Sequence, residues 1–154
     1  MRRNLLIVYH SQSGRTETMA RSVRDGASDP LVEHVELRML RAAAAGPDDL
    51  LWAHGLLIGT PENFGYMSGM MKDFLERVFY DCERKIEGRP WALFVSAGQD
   101  GSGAITSVER IVTGLRLRKV REPILALREV TPEILAQCEE LGATLAVGIA
   151  AGAL

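Results

Sequence analysis

Short apolar runs alternate with helix-type hydrophobic patterns along almost the whole chain, and this alternation is the strongest constraint on its fold. Four runs are apolar at successive positions, as strands are when helices cover both faces of their sheet: residues 5–9, 56–59, 91–95 and 124–127. A fifth run, residues 31–37, alternates polar and apolar side chains and is predicted to be an edge strand. Strands that alternate with helices pair in parallel, and right-handed crossovers place helices on both faces. The sequence therefore predicts an α/β fold with a doubly wound, five-stranded parallel sheet.

Between these runs, apolar residues recur at the spacing of amphipathic helices. The clearest pattern spans residues 67–79, and similar patterns span residues 105–115 and 134–149. Thr131 and Pro132, before the last pattern, are a typical N-cap and first-turn proline. The sequence thus predicts a helix after each of the later strands.

One segment breaks this rhythm. Residues 41–47 contain an alanine run and a Gly-Pro pair, and a short helical turn is predicted at residues 48–53. The chain has 154 residues, of which 47% are hydrophobic, which suffices for one domain with a single sheet. We interpret the segment as a connection inside one domain that spans residues 1–154.

Charge and hydropathy exclude several classes of partner. Lys and Arg number 18 against 20 Asp and Glu, so the net charge is −2, without the basic excess of nucleic-acid-binding or membrane-surface proteins. The N-terminal apolar run is too short for a signal peptide, and no apolar stretch approaches the length of a membrane span. We therefore expect no nucleic-acid partner, no integral membrane contact and a cytoplasmic location.

The cysteines and histidines form no recognisable metal or thiol motif. Cys82 and Cys138 are far apart, make no C-x-x-C pair and lie in apolar helical patterns, which predicts two buried, reduced side chains. His10, His34 and His54 share no ligand spacing with one another or with the cysteines, so no metal site is expected. His10 alone could have a functional role, because it follows the first strand.

The segment after the first strand carries hydroxyl groups at the start of a predicted helix. Exposed N–H groups, the helix dipole and nearby hydroxyls together make a binding site for a phosphate dianion. The candidate residues are Ser11, Ser13, Gly14, Arg15 and Thr16. An ordinary serine-capped helix start would have the same composition, so that alternative stays open.

Two further segments, rich in glycine, follow later strands. Residues 59–69 combine glycine, amide and aromatic groups, and residues 96–103 contain three glycines. Such backbones can lie flat against a planar ring and offer N–H and C=O groups to its edge, although either segment alone could be a simple turn. Because ligands of these sheets bind outside the carboxyl ends of the strands, we expect both segments to lie beside the phosphate-binding segment.

Other nucleotide and hydrolase motifs are absent from the sequence. Neither G-x-x-x-x-G-K-[ST] nor G-x-G-x-x-G follows the first strand, which disfavours a P-loop nucleotidase and a dinucleotide fold. Residues 101–106 approach the dinucleotide fingerprint but end in Thr106 in place of glycine. Ser68 lacks the G-x-S-x-G spacing of a nucleophile elbow, and Gly59-Thr60-Pro61 stands where a receiver domain needs an aspartate.

Together these motifs make the chain resemble the flavodoxin-like NAD(P)H-dependent FMN reductases and quinone reductases over essentially its whole length. The matching motifs are S-x-S-G-x-T at residues 11–16, the run at residues 59–69 with the helix behind it, and residues 96–103. The resemblance implies a flavodoxin-like sheet of order 2-1-3-4-5 and one bound FMN. It assigns the FMN phosphate to the five residues of the first segment.

The resemblance also assigns the isoalloxazine ring to the two glycine-rich segments. One side of the ring would contact Pro61, Glu62, Asn63, Phe64 and Gly65. The other side would contact Ser96, Ala97, Gly98, Gln99 and Gly101. We further hypothesise that the Glu62 carboxylate points away from the flavin N1, because a nearby negative charge would oppose an anionic reduced ring.

Two departures from electron-carrier flavodoxins favour an enzyme. Those carriers are usually strongly acidic and enclose the flavin between aromatic side chains, whereas this chain is nearly neutral and has only Phe64 and Tyr66 in its ring segments. The resemblance therefore implies an FMN-dependent oxidoreductase that passes electrons from NADH or NADPH to a quinone, a flavin, or a nitro or azo compound. It is compatible with a homodimer or homotetramer. A flavodoxin-type carrier that serves a protein redox partner, and a member of the fold that binds no flavin, are the alternatives.

Overall fold

The computed structural model describes residues 2–154, and its strands form one twisted sheet. Five strands in the order β2-β1-β3-β5-β7 are parallel: β1 Arg3–Tyr9, β2 Val35–Arg41, β3 Gly55–Asn63, β5 Pro90–Ala97 and β7 Ile124–Leu127. A two-residue strand, β6 Arg118–Lys119, pairs with the start of β5, and another, β4 Tyr66–Met67, is antiparallel to the end of β3. The predicted order 2-1-3-4-5 is confirmed, with the fifth position divided between β6 and β7.

Five α-helices cover the two faces of this sheet, as predicted. They are α1 Arg15–Ala27, α2 Pro47–Trp52, α3 Gly69–Cys82, α4 Ser102–Gly114 and α5 Pro132–Ala150, with one 3-10 turn at Ala42–Ala44. The side chains of α1 and α5 pack with Leu5, Ile7 and Leu57 on one face. Those of α2, α3 and α4 pack with Leu6, Val8 and Ile58 on the other. Alternate residues of β1 thus enter opposite cores, which explains why its apolar run is continuous.

The predicted edge strand at residues 31–37 is wrong in position, because β2 runs from Val35 to Arg41. Asp29 starts a turn in which its carboxylate accepts from the Leu31 N–H at 2.8 Å and its carbonyl accepts from the Val32 N–H. Leu31 is 90% exposed, and His34 has a φ of 65°, which interrupts extended backbone. The strand therefore begins only after His34.

The connection before α2 is held by a distant arginine. The Arg77 guanidinium of α3 donates to the carbonyls of Ala42 and Ala45, each at 2.8 Å. The Asp49 carboxylate accepts from the Gly46 N–H at 2.9 Å and closes the first turn of α2. The segment is thus bonded both to α3 and to the first turn of α2.

Both cysteines are buried, as predicted. Burial raises the pKa of the Cys82 thiol to about 11 and that of Cys138 to about 12. Both side chains therefore remain protonated at neutral pH and act as small apolar groups of the two cores.

Candidate functional site

Three segments meet at the carboxyl edge of the sheet, where β1, β3 and β5 end. The β1 segment joins Tyr9 to α1, the β3 segment is the hairpin formed with β4, and the β5 segment joins Ala97 to α4. The side-chain amide of Asn63 donates to the Gln12 carbonyl oxygen at 2.8 Å, so the first two segments touch directly. Gln12 was missed by the sequence reasoning, although it lies within the predicted phosphate-binding segment.

Ser11 caps the first turn of α1. Its hydroxyl oxygen accepts from the N–H groups of Gly14 at 3.2 Å and of Glu17 at 3.1 Å. Gly14 itself stands at the N-cap position with a φ of 98°, a conformation that favours glycine. The hydroxyl of Ser11 thus shapes the helix start while keeping its own hydrogen free to donate.

The two N–H groups between those of Gly14 and Glu17 remain open. Within residues 2–154, the N–H groups of Arg15 and Thr16 donate to no other protein group, because first-turn N–H groups have no partner within the helix and Ser11 accepts only from the two that flank them. Ser13 and the Arg15 side chain are exposed beside them. This helix start therefore presents free donors and the positive end of its dipole to a ligand anion.

The Thr16 side chain has a different environment. It is buried, and its hydroxyl lies 2.8 Å from the hydroxyl of Ser96, which is also buried. One hydroxyl of the pair donates to the other, so one hydrogen remains for a further bond. The pair fastens the start of α1 to the end of β5.

The predicted ring segment after the third strand is a β-hairpin. The strand extends beyond residue 59 as far as Asn63, and Phe64 and Gly65 form a two-residue turn with φ values of 53° and 71°. Positive φ at both central residues matches the tight turns that follow the natural twist of a hairpin. The turn leaves the Phe64 ring fully exposed and Tyr66 partly exposed. The hairpin thus ends in an exposed aromatic ring.

Glu62 joins this hairpin to α4. One carboxylate oxygen accepts from the Gly101 N–H at 3.1 Å, and the other accepts from the N–H groups of Gly103 at 3.0 Å and Ala104 at 3.2 Å. These donors belong to the first turn of α4, where a negative charge is favoured by the dipole. Nothing in the sequence pattern indicated this pairing, because the partners are 39–42 residues away.

The segment after β5 turns away from the sheet at three exposed residues, Gly98, Gln99 and Asp100. Ser96 and Ala97 end β5 with buried side chains, and Ser96 is in register with Pro61 of β3. The Asp100 carboxylate accepts from the Ser102 N–H and hydroxyl, and these bonds lower the pKa of Asp100.

A cavity of about 500 Å³ lies between the hairpin and the β5 segment. Its lining contains five of the predicted ring-contacting residues together with two that were not predicted: Glu62, Phe64, Gly65, Gly98, Gln99, Asp100 and Ser102. A Cβ atom added at Gly65 or Gly98 would meet no atom within 4 Å, so both backbones are accessible. The cavity and its open backbones fit a planar heterocycle.

Basic groups surround the outer side of the α1 start. The Glu17 carboxylate is paired with both Arg21 and Arg41, which offsets a negative charge next to the open N–H groups of Arg15 and Thr16. The Arg41 guanidinium also lies 5.2 Å from the centre of the Tyr9 ring. Burial, and then the nearby Arg41 charge, lower the pKa of His10, so this imidazole is neutral at pH 7.

Residues 2–154 contain neither a cluster of metal ligands nor a helix able to span a membrane. No group of three or more His, Cys, Asp or Glu side chains is arranged to hold a metal ion. No helix combines the length and apolar composition needed to cross a bilayer.

A groove of about 520 Å³ between α3 and α4 lies away from the strand ends and is lined by Leu75, Phe79 and Ile111 among others.

Comparison with solved structures places the fold among flavodoxins. A flavodoxin from the domain Archaea superposes with a TM-score of 0.80 at 21% identity, covering 93% of this chain and 96% of that one. The flavodoxin, WrbA-like protein of Agrobacterium tumefaciens gives a TM-score of 0.78 at 21% identity over 99% of both chains. The flavodoxin-like fold that the resemblance implied is thereby confirmed.

Curated relatives include both carriers and enzymes by name. A flavodoxin of Aquifex aeolicus is 35% identical over 111 residues, covering 72% of this chain and 59% of the relative. An NAD(P)H dehydrogenase (quinone) of Acidithiobacillus ferrooxidans is 30% identical over 130 residues, covering 72% of this chain and 65% of the relative. The chain thus spans about three fifths of the length of these relatives.

The family model described as NADPH-dependent FMN reductase matches residues 5–131, which include all three segments of the site. This match extends over more than half of the chain and agrees with the fold and with the curated relatives. The chain therefore belongs to the NADPH-dependent FMN reductase family.

Proposed function

We propose that this protein binds one FMN and uses it to pass electrons from NADH or NADPH to a small acceptor such as a quinone, a flavin, or a nitro or azo compound. The observation that carries the proposal is the pair of free N–H groups at Arg15 and Thr16, close to a cavity suited to a planar ring. When bound, FMN supplies the reversible transfer of electrons, so no side-chain nucleophile is required.

In this proposal the α1 start holds the phosphate. Arg15 and Thr16 donate through their N–H groups, and Ser13 donates through its exposed hydroxyl. Hydrogen bonds to a charged group contribute roughly 1.5–3 kcal/mol each. Ser11 acts mainly by shaping this turn, because its oxygen is engaged with two N–H groups.

The hairpin and the β5 segment hold the ring in the same proposal. The exposed backbones of Gly65 and Gly98 allow close approach, while Phe64 provides an aromatic surface at the rim. No second aromatic side chain of the cavity lining faces Phe64, because the remaining lining residues are polar or glycine. Such a cavity leaves room for a second planar molecule beside the flavin, which supports an enzyme over a carrier.

The test begins with the visible spectrum of the purified protein and with FMN and riboflavin titrations. Riboflavin lacks the phosphate, so three charge-assisted hydrogen bonds predict at least a hundredfold tighter binding of FMN. Oxidation of NADH or NADPH should then depend on added FMN and quinone. A protein that binds neither flavin would overturn the proposal.

The second candidate is an electron carrier, which the 35% identity to a flavodoxin favours. It predicts tight FMN binding without oxidation of either nicotinamide in the presence of quinones, flavins, nitro or azo compounds. Electron transfer to a protein acceptor would then replace turnover of small molecules. The same purified protein therefore distinguishes the two candidates.

A further inference from the structure

The carboxylate of Glu62 is held in place by three hydrogen bonds from backbone N–H groups. Its two oxygens accept three N–H bonds of 3.0–3.2 Å from Gly101, Gly103 and Ala104, and its own backbone lies in the last part of β3. The carboxylate therefore links the hairpin to the segment after β5 across the floor of the cavity. A link of this kind restricts the distance between the two segments.

Other contacts between the hairpin and α4 support the same arrangement. The Met67 N–H donates to the Ser107 hydroxyl at 3.0 Å, and the Ser107 hydroxyl donates to the Ala104 carbonyl at 3.0 Å. A Cβ atom at Gly103 would lie 1.8 Å from the Gly65 carbonyl oxygen, so the two backbones are in direct contact. The hairpin is thus bonded to α4 on either side of its turn.

The helices that follow the β1 and β5 segments, α1 and α4, differ in how their first N–H groups are used. At α1, the N–H groups of Arg15 and Thr16 are free, whereas at α4 the corresponding N–H groups of Ser102 and Gly103 donate to the Asp100 and Glu62 carboxylates. Since these α4 donors are already satisfied by the protein, a ligand phosphate is favoured at the α1 start and not at the α4 start.

We infer that Glu62 is a positioning residue that holds the two ring-binding segments at a fixed separation before the cofactor arrives. This inference rests on the proposed binding of FMN. Glu62 acts through Gly101, Gly103 and Ala104, and its charge is taken up by their N–H groups. Glutamine cannot replace it, because one oxygen would become an NH₂ group facing an N–H donor.

The test compares Glu62→Gln with Glu109→Gln. Glu109 is also on α4, but its carboxylate lies 3.0 Å from Lys119 and not beside the hairpin. Without flavin, hydrogen exchange at Gly101, Gly103 and Ala104 should be at least tenfold faster in Glu62→Gln and unchanged in Glu109→Gln. This measurement reports the link whether or not FMN binds.

With flavin, Glu62→Gln should raise the Kd for FMN at least tenfold and alter the visible circular dichroism of the bound flavin at saturation. Glu109→Gln should change neither. A Glu62→Gln protein with a lower Tm but the original FMN Kd, dichroism and exchange rates would show a merely structural role and overturn the inference. Failure of the unsubstituted protein to bind FMN would overturn the proposed function, and with it the positioning role, whatever the exchange result.

Discussion

The hydroxyl oxygens of Thr16 and Ser96 lie 2.8 Å apart in a buried hydrogen bond that joins the start of α1 to the end of β5. These residues are 80 positions apart in the sequence, and they lie next to two of the three segments of the candidate site. Within residues 2–154, every buried side-chain nitrogen or oxygen has a hydrogen-bond partner. This bond gives each of the two buried hydroxyl oxygens its partner.

Replacing Thr16 with valine keeps the shape of the side chain and removes its hydroxyl. We expect the free energy of unfolding to fall by about 1–3 kcal/mol, because the Ser96 hydroxyl would be left buried without a partner. Urea unfolding measures the change. Thr113→Val is the matched control, since Thr113 is exposed on α4, and its effect should stay within about 0.5 kcal/mol.

Ser11→Asp separates helix capping from phosphate binding. Aspartate accepts from first-turn N–H groups as well as serine does, so the free energy of unfolding should be maintained. FMN affinity should nevertheless fall more than tenfold, because the new carboxylate would repel a phosphate at the Arg15 and Thr16 N–H groups. Ser11→Asn caps without the charge and should bind FMN more tightly than Ser11→Asp. Equal FMN affinity of the two variants would speak against a phosphate at this helix start.

Gly103→Ala tests the close approach of α4 to the hairpin. Its Cβ atom would lie 1.8 Å from the Gly65 carbonyl oxygen, so the hairpin must shift. We expect a lower Tm and a more than tenfold loss of FMN affinity. Gly69→Ala, at the start of α3 with no atom within 4 Å of the added Cβ, should leave both unchanged or raise the Tm slightly. A Gly103→Ala protein that retains the original FMN affinity would contradict the described contact.

His54 makes stability depend on pH. Its Nδ1 accepts from the Asn4 N–H at 2.9 Å, and burial, followed by the charges of Arg3 and Arg89, lowers its pKa below 6.5. Below about pH 6.5 the unfolded chain therefore binds a proton that the folded protein does not, so stability is complete above that pH and falls as the pH drops. Urea unfolding at pH 7.5, 6.5 and 5.5 should show the decline.

Asparagine at position 54 offers an acceptor that does not titrate, so His54→Asn should reduce the slope of stability against pH. Some slope should remain, because the pKa of His10 is lowered as well. His34→Asn is the control: His34 is exposed with a φ of 65°, which asparagine tolerates, and the slope should be unchanged. If the slope of stability against pH is as large in His54→Asn as in the unsubstituted protein, His54 is not a source of the pH dependence.

Much of the sheet could be predicted because its buried strands are apolar at successive positions, a pattern that depends only on local sequence. The position of β2 could not be predicted. Residues 31–37 alternate like a strand, but the Asp29 turn and the left-handed backbone of His34 delay the start of the strand to Val35. The extension of β3 to Asn63 was also missed, because it depends on a hairpin turn with phenylalanine where asparagine and glycine are usual.

The candidate site was predictable in composition but not in its internal bonding. The sequence assigns the same phosphate-binding role to Ser11, Ser13 and Thr16. In the structure Ser11 caps a helix, Ser13 is exposed, and Thr16 is buried against Ser96. Glu62 is predicted to contact the ring with its carboxylate directed away from the flavin N1, whereas its bonds to the α4 N–H groups depend on how distant segments pack. Such differences arise from tertiary contacts, which a local pattern does not contain.

At the tip of the hairpin, the residue that favours a high Tm differs from the residue that favours quinone turnover. Phe64 occupies a left-handed conformation that costs a residue of this kind on the order of 1–3 kcal/mol, and its ring gains nothing from burial because it is fully exposed. Phe64→Asn should raise the Tm while impairing quinone turnover, as measured by calorimetry and steady-state kinetics. The substitution that we expect to raise the Tm therefore falls on the residue whose exposed ring borders the proposed flavin cavity, so heat resistance would be gained at the expense of the proposed turnover.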